Sequence, residues 1–413
     1  MSPNRWQMEL RPVDLESLLP EGHRARVVWD FVEGLDLEGL YGKIGAVEGE
    51  PGRPAIDPRI LLTLWLYATL EGVGSARALD RLCEQHHAYQ WICGGVRMNY
   101  HTLSDFRVAH VEELDRLLTD SAAALMAEGL VEMERVAQDG MRVRASAGAA
   151  SFRRKPALEK CREEAAEQVA ALRKELEEDP GALTRRQEAA RKRAAEDRQK
   201  RIEEALKQMP GVAAKKKTAE KDQARVSATD PEERVMKMGD GGFRPAYNAQ
   251  FATDTSTQVI VGVDVSNVGN DAGQMPPMAD QIEERYGRRP KEILVDGGFA
   301  RHKDIEEAAA EGSTVYAPVM EPREPGRDPH TPLATDSEAI AAWRVRMGTA
   351  EAKEIYKERA ATAECVNALS RNRGLRQFLV RGIRKVRAVL LWFALAHNLL
   401  RRVQLRLAAA AAR

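Results

Sequence analysis

The stretch FRPAYNAQFATDTSTQVIVGVDVSN, residues 243–267, decides the fold. In its first half apolar residues alternate with polar ones, which is the period of a half-buried strand, and its second half contains the β-branched run VIVGVDV, which also favours a strand. The intervening DTSTQ is rich in turn-forming residues, so the stretch predicts two consecutive strands. The same alternation in GLVEMERVAQDGMRVRASA, residues 129–147, predicts an earlier strand that ends or turns near Asp139 and Gly140.

Helix and strand patterns alternate after residue 267. Helices are predicted over 275–286 and 303–311, and short strands over 292–296 and 313–319. Antiparallel strands followed by alternating helices and strands predict an α/β fold, in which a mixed sheet is flanked by helices. The Pro-rich residues 320–350 predict a loop.

Residues 1–130 are predicted to form a helical N-terminal domain. One helix is expected to begin at Pro58, a second after a Ser75 cap, and a third at Thr102 or Ser104. Short helices joined by glycine-containing turns suit a small module that reads DNA. A helical bundle that only packs against its neighbour fits the periodicity equally well.

Residues 151–237 are dominated by Ala, Glu, Lys, Arg and Gln. This composition predicts long solvated helices or a coiled-coil-like hairpin, with Pro180 and Gly181 dividing its two arms. Because basic and acidic residues are interleaved, we expect a spacer or a protein contact, such as dimer formation, rather than a grip on DNA. We interpret the segment as an insertion into an α/β domain formed by 131–150 and 238–413.

The charge of the chain is balanced overall but uneven along its length. The 413 residues include 63 basic and 63 acidic ones, and this balance neither requires nor excludes a nucleic-acid partner. No acid follows Glu364, whereas residues 371–413 contain ten Arg and one Lys. This tail predicts either a solvated helix or, in our preferred interpretation, a surface that follows DNA phosphates.

The longest apolar run, residues 388–400, is interrupted by His397 and Asn398. It is shorter than the ~20 residues needed to span a bilayer, so it predicts a buried core helix and no membrane partner. A polar N-terminal stretch and four scattered cysteines predict a cytoplasmic location.

Asp139, Asp296 and Glu364 are the candidate catalytic acids. Both aspartates are predicted at the ends of short apolar strands and precede glycine, which allows close approach of a ligand; Glu364 lies in a strongly helical stretch that ends near Gly374. Three converging carboxylates suit Mg²⁺, and two such ions support in-line displacement at phosphorus. Taken singly, each acid is better explained as a turn or surface residue.

Three other acids compete for the second aspartate position. Asp254 begins the DTSTQ turn, Asp264 lies inside an alternating strand, and Asp271 follows a loop-like run. A turn role explains Asp254 better than catalysis does. Asp296 therefore ranks first.

The predicted helix around Glu364 carries further candidate residues. At about 100° per residue, Tyr356, Arg359, Glu364 and Arg371 fall on one continuous face. A carboxylate flanked by a Tyr and two Arg would bind a metal ion and grip the neighbouring phosphates together. A network of surface ion pairs is the alternative explanation.

Here the residues support a resemblance to a known family. YKERAATAECVNALSR (356–371), followed by RGIRKVRAVLLWFALAHNLLRR (381–402), resembles the last catalytic segment of the DDE transposases of bacterial insertion sequences. AQDGMRVRASAG (137–148) and LVDGGFA (294–300) resemble the segments that carry their two catalytic aspartates. Residues 57–95 resemble the helical N-terminal domain of the same group.

The resemblance implies a ribonuclease-H-like catalytic domain in which Asp139, Asp296 and Glu364 bind two Mg²⁺ or Mn²⁺ ions. It further implies cleavage of DNA at the ends of an insertion sequence, followed by attack of the freed 3′-hydroxyl on target DNA. DNA would be the partner, and residues 1–130 would recognise the DNA ends. We also expect a homodimer in the active complex and association with the nucleoid.

The resemblance also assigns Tyr356, Arg359 and Arg371 to DNA phosphates near the cleaved end. Arg371 stands where the family usually has Lys, which preserves the charge but alters the donor geometry. Two other functions stay open: a DNA-end-binding protein of the same descent without catalysis, and a helical scaffold whose insertion mediates assembly. Metal-dependent DNA cleavage separates these alternatives.

Overall fold

The computed structural model describes residues 14–44, 55–178, 184–322 and 326–412. They group into two compact units. Unit 1 is formed by Met1–Val131, Asn372–Gly374 and Leu391–Arg413, and unit 2 by Glu132–Arg371 and Leu375–Leu390.

Unit 1 is helical, as the sequence predicts. Its helices are α1 (Arg24–Glu33), α2 (Glu38–Tyr41), α3 (Pro58–Leu70), α4 (Ala76–Gln85), α5 (His87–Cys93), α6 (Tyr100–Ala109) and α7 (Val111–Ala127). Helix α3 begins at Pro58 because Asp57 caps it by accepting the N–H of Arg59. Nearly every α3 residue is buried, and the Trp65 indole donates to the carbonyl of Leu103 at 2.9 Å.

Two of the helices predicted in unit 1 differ from those observed. Ser75 caps α4 as expected, but the backbone becomes extended at His86, whose side chain caps α5 instead. The next helix begins earlier than predicted, because Asn99 accepts the N–H of Thr102 and acts as the N-cap. It ends at Ala109, and His110 separates it from α7.

The part of unit 2 that the structure describes contains the strands β1 (Arg135–Arg144), β2 (Phe152–Arg153), β3 (Val226–Ser227), β4 (Arg234–Lys237), β5 (Phe243–Asp254), β6 (Ile260–Ser266), β7 (Glu292–Leu294) and β8 (Thr314–Tyr316). In the main sheet, β6, β5 and β1 are antiparallel neighbours, β1 continues in parallel to β7 and β8, and β4 pairs with the start of β5. The predicted ribonuclease-H-like mixed sheet is confirmed. Strands β2 and β3 form a separate pair.

The remaining helices include those predicted after residue 150 and one more, over Glu338–Gly348. They are α8 (Lys155–Glu178), α9 (Arg185–Ala214), α10 (Met275–Tyr286), α11 (His302–Ala310), α12 (Glu338–Gly348), α13 (Ala350–Arg359), α14 (Cys365–Asn372) and α15 (Ile383–Ala411), with a π turn over Ala360–Glu364 between α13 and α14. The apolar run predicted as a core helix lies in α15, and its residues 388–399 are all buried. Among the described helices, none has the length and apolar character needed to cross a membrane.

Two local predictions are wrong. Strand β1 does not end at Asp139 and Gly140 but continues to Arg144, because Met141 and Val143 keep the buried alternation that pairs with β5. The segment 320–350 is not loop throughout, since α12 occupies its last third. The prolines that disfavour helix end at Pro332, and the following AIAAW run favours helix.

The charged segment forms an antiparallel pair of long helices, α8 and α9. Charged side chains join them, as in the 2.9 Å ion pair of Arg191 with Glu175, around a small apolar core of Val169, Leu172 and Ala195. Pro180 and Gly181, the predicted break, lie outside the described residues. Strand β4, at the end of this segment, is part of the main sheet.

A buried carboxyl group lies between β3 and β4. Glu233 is 0% exposed, and the Ser151 hydroxyl contacts its Oε1 at 3.4 Å. Burial raises the pKa of Glu233 from its ordinary value of 4.5 to about 7. Because the folded chain holds this proton more tightly than the unfolded chain, stability falls as the pH rises between these two values.

We predict that Glu233→Gln flattens the pH dependence of folding stability. Between about pH 5 and about pH 8 the wild type should lose about 2–3 kcal/mol more unfolding free energy than the variant, whose amide stays neutral. Urea denaturation followed by circular dichroism at several pH values measures this difference. Parallel pH profiles for the two proteins would contradict the assignment.

Candidate active site

The parallel pairing of β1 and β7 places Asp139 and Asp296 side by side. The register ends at Ala137 opposite Leu294, and each aspartate follows two residues later in its own chain segment. Since side chains alternate along extended backbone, residues two positions beyond a paired couple point to the same face. Both carboxylates therefore lie on the same face of the sheet. Asp139 is still within β1, whereas Asp296 begins a turn in which its Oδ1 accepts the N–H of Gly298 at 2.8 Å.

The π turn brings Glu364 to the same place. Arg359 and Glu364 are five residues apart, and in a straight α-helix they would point roughly 140° away from each other. The wider π turn takes up one extra residue, so the two side chains meet one turn apart. The Gln258 side chain donates to the Ala361 carbonyl at 2.8 Å and so supports this irregular backbone. The uninterrupted helix expected from the sequence is thus corrected to α13, the π turn and α14.

One guanidinium group contacts all three candidate acids. Arg359 Nη1 donates to Glu364 Oε1 at 2.6 Å, and Nη2 lies 3.4 Å from Asp139 Oδ1 and 3.8 Å from Asp296 Oδ2. The acids differ in exposure: the side chain of Asp139 is 15% exposed, that of Asp296 38% and that of Glu364 54%. The cluster therefore has a buried side at β1 and an open side at Glu364.

The electrostatics of the cluster follow from this burial. Burial raises the pKa of the Asp139 carboxyl above its ordinary value, although the charge of Arg359 acts in the opposite direction. Burial alone would lower the pKa of the Arg359 guanidinium, but the neighbouring carboxylates raise it, with Asp139 contributing most. Arg359 therefore stays charged among the acids.

The other two residues on the predicted helix face lie in different surroundings. Tyr356 is partly buried against the core of unit 2, and burial raises the pKa of its phenol. Arg371 is exposed in the last turn of α14, and within the described ranges its side chain makes no ion pair with the three acids. The structure therefore brings Arg359 together with the acids and leaves Arg371 apart from them.

Asn367 is a residue of the site that the sequence analysis missed. Its Nδ2 donates to Asp139 Oδ2 at 2.9 Å, and it is only 3% exposed. Because a carboxylate only accepts hydrogen bonds, the amide must present its nitrogen to Asp139. Its position three residues after Glu364, on the same helical face, was the available signal.

A buried polar network behind β1 was also missed. Asp271 is 3% exposed and accepts hydrogen bonds from Arg142 at 2.7 Å, Asn248 at 2.8 Å and Gln250 at 2.9 Å. In the register of β1 and β5, Gly140 lies opposite Gln250, so the network covers the face opposite Asp139. Polar residues at alternate positions of an apolar strand, as in YNAQ, were the signal for it.

The donor set fits a hard divalent cation. Asp139, Asp296 and Glu364 offer carboxylate oxygens, the ligands that Mg²⁺ and Mn²⁺ prefer. As they stand, no three His, Cys, Asp or Glu side chains in the described ranges are arranged around one ion. In this cluster Arg359 lies between the acids and donates to Glu364.

Comparison with known families agrees with this geometry. The family described as "Transposase domain (DUF772)" matches residues 13–109, and that described as "Transposase DDE domain" matches residues 217–399. The chain belongs to the DDE transposases. No curated protein and no solved structure gives a significant match.

The DDE match of the transposase includes Asp296, Arg359 and Glu364 but begins after Asp139. The long helices α8 and α9 separate β1 from the rest of the sheet in sequence, although β1 lies between β5 and β7 in space. The structure, and not the family match, therefore shows that Asp139 lies beside the other two acids.

Gly140→Ala tests the close packing behind Asp139. An added methyl group would overlap with Asp271 Oδ1 and lie 2.5 Å from Gln250 Nε2. We expect a loss of about 1–3 kcal/mol of unfolding free energy, because both neighbours are held in the buried network. Gly148→Ala is the matched control, since nothing lies within 4 Å of its added carbon. Denaturant unfolding that shows equal stability for both variants would contradict the packing.

Proposed function

We propose that the transposase cleaves DNA strands at the ends of an insertion sequence in a metal-dependent reaction and joins them to target DNA. The observation that carries the proposal is the convergence of Asp139, Asp296 and Glu364 on one guanidinium group from three separate parts of the sequence. Such convergence has no use in a turn or on a solvated helix. Three carboxylates in one place serve to bind cations.

Asp139, Asp296 and Glu364 are the residues that would hold two Mg²⁺ or Mn²⁺ ions. Ions of this kind supply an activated oxygen nucleophile and stabilise the leaving oxygen of a phosphodiester. Asn367 donates to Oδ2 of Asp139 and the Gly140 N–H donates to Oδ1 at 3.0 Å, so both carboxylate oxygens have a fixed orientation. The proposal also assigns Tyr356 and Arg359, which belong to the same helical segment as Glu364, to the phosphates of a bound DNA strand.

The remaining parts of the chain are assigned supporting roles. The helical residues 1–130 are proposed to recognise the DNA ends, and Arg371 and the basic tail to follow the phosphates outside the cleavage point. The hairpin of α8 and α9 has charged side chains that pair with one another, as Arg198 does with Glu164 at 3.7 Å. This pairing supports a spacer or dimer contact better than a grip on DNA.

Asp139→Asn is predicted to abolish metal-dependent cleavage while DNA binding is retained. The amide preserves size but removes the charge, and the loss of several kcal/mol of metal-assisted stabilisation corresponds to a drop of roughly 100-fold or more in rate. Cleavage of end-containing DNA with Mg²⁺ or Mn²⁺, together with a gel-shift assay, measures both properties.

Asp264→Asn serves as the control for this experiment. Asp264 lies opposite Gln250 in the pairing of β5 and β6, on the face of the sheet away from Asp139, so its substitution should leave cleavage unchanged. An Asp139→Asn variant that cuts at the wild-type rate would overturn the assignment. DNA binding by the wild type without cleavage under any divalent cation would favour a non-catalytic DNA-end-binding protein.

A further inference from the structure

The guanidinium group of Arg359 lies where the three acids converge. It donates to Glu364, contacts Asp139 and faces Asp296, and only 11% of its side chain is exposed. Without a positive charge, three carboxylates brought this close together would repel one another. Arg359 therefore supplies the attraction that holds the acids in place.

In this arrangement one hydrogen-bond donor of the guanidinium group, Nε, is buried and has no acceptor among the described residues. A buried donor without an acceptor is destabilising, so the side chain has less than its full hydrogen-bonding capacity in this position. Glu364, its shortest contact, is more than half exposed and can turn away from it.

A divalent cation would compete with this guanidinium for the carboxylate oxygens that Arg359 contacts. Mg²⁺ approaches its oxygen ligands to about 2.0–2.1 Å and needs oxygens that Arg359 now contacts. A guanidinium left beside the ion would also be repelled by its charge.

We propose that Arg359 is a positioning residue that holds the three acids together until a divalent cation binds, and that cation binding then releases its side chain. The proposal rests on the metal-dependent function proposed above. The released guanidinium can form a bidentate pair with a DNA phosphate, which it cannot do while it is bound to the acids. Arg359 would then bind the phosphate beside the cleavage point only after the cation has bound.

Arginine-selective labelling tests the release directly. The full-length protein is treated with phenylglyoxal, with and without Mn²⁺ and in the absence of DNA, and modified peptides are quantified by mass spectrometry. Labelling of Arg359 should rise severalfold with Mn²⁺. Arg344 is the matched control, because its side chain is 12% exposed and pairs with Asp336 at 2.8 Å, and its labelling should not change. Labelling of Arg359 that stays constant or falls at saturating Mn²⁺ would overturn the proposal.

Calorimetric titration with Mn²⁺ provides the second measurement. Arg359→Gln should lower the apparent Kd roughly tenfold, the effect of removing one competing charge-assisted hydrogen bond. Arg371→Gln is the matched control, because it removes the same charge from an exposed side chain of the next helix. Arg371 does not compete with a cation for the three acids, so the affinity for Mn²⁺ should stay within about twofold of the wild-type value. Equal tightening in both variants, or none in Arg359→Gln, would overturn the proposal. If the glutamine variant does not fold, Arg359→Lys replaces it. The lysine ammonium is a point charge that cannot bridge the three acids, so this variant is also expected to bind Mn²⁺ more tightly than the wild type does.

Asp139→Asn in the same titration separates this proposal from the proposed function. Wild-type protein that binds no Mn²⁺, or binds it equally well after Asp139→Asn, would contradict both. Mn²⁺ binding that depends on Asp139 but not on Arg359 would contradict the release of Arg359 alone.

Discussion

The active site depends on the parallel pairing of β1 with β7. A register that ends at Ala137 and Leu294 makes the next outward positions of the two strands neighbours, and both positions are aspartates. A shift of one residue would turn one of these carboxylates to the opposite face of the sheet. The buried network around Asp271 connects β1 to its other neighbour, β5, on the opposite face of the sheet.

Bringing carboxylates together creates repulsion that the surrounding residues offset. Arg359 supplies the opposing charge, Asn367 donates to Asp139, and the π turn lets Glu364 reach the group from a helix. π turns within α-helices are frequently found at functional sites, where the one extra residue changes the direction of a side chain. The three acids therefore lie together around one positive charge, and the cluster is open on the side of Glu364.

Much of this fold follows from the sequence because the strands of unit 2 alternate regularly and its helices have clear apolar faces. The limits of β5 and α10 are predicted from pattern alone, whereas Asp139 is misplaced at a strand end because Asp-Gly is typical of turns. The π turn and the contacts of Asn367 escape prediction because they depend on packing between distant segments. The three acids were selected from the sequence together with a family resemblance, while the role of Arg359 among them required the structure.

Iron-mediated cleavage of the protein chain tests the central claim most directly. Fe²⁺ bound in place of Mg²⁺, with ascorbate and peroxide, cuts the backbone close to its ligands, and the fragments are identified by mass spectrometry. The account predicts cuts near Asp139, Asp296 and Glu364 together, all suppressed by excess Mg²⁺ and all lost in Asp139→Asn. Cuts near one of these residues without the others, or cuts that survive Asp139→Asn, would contradict a shared site.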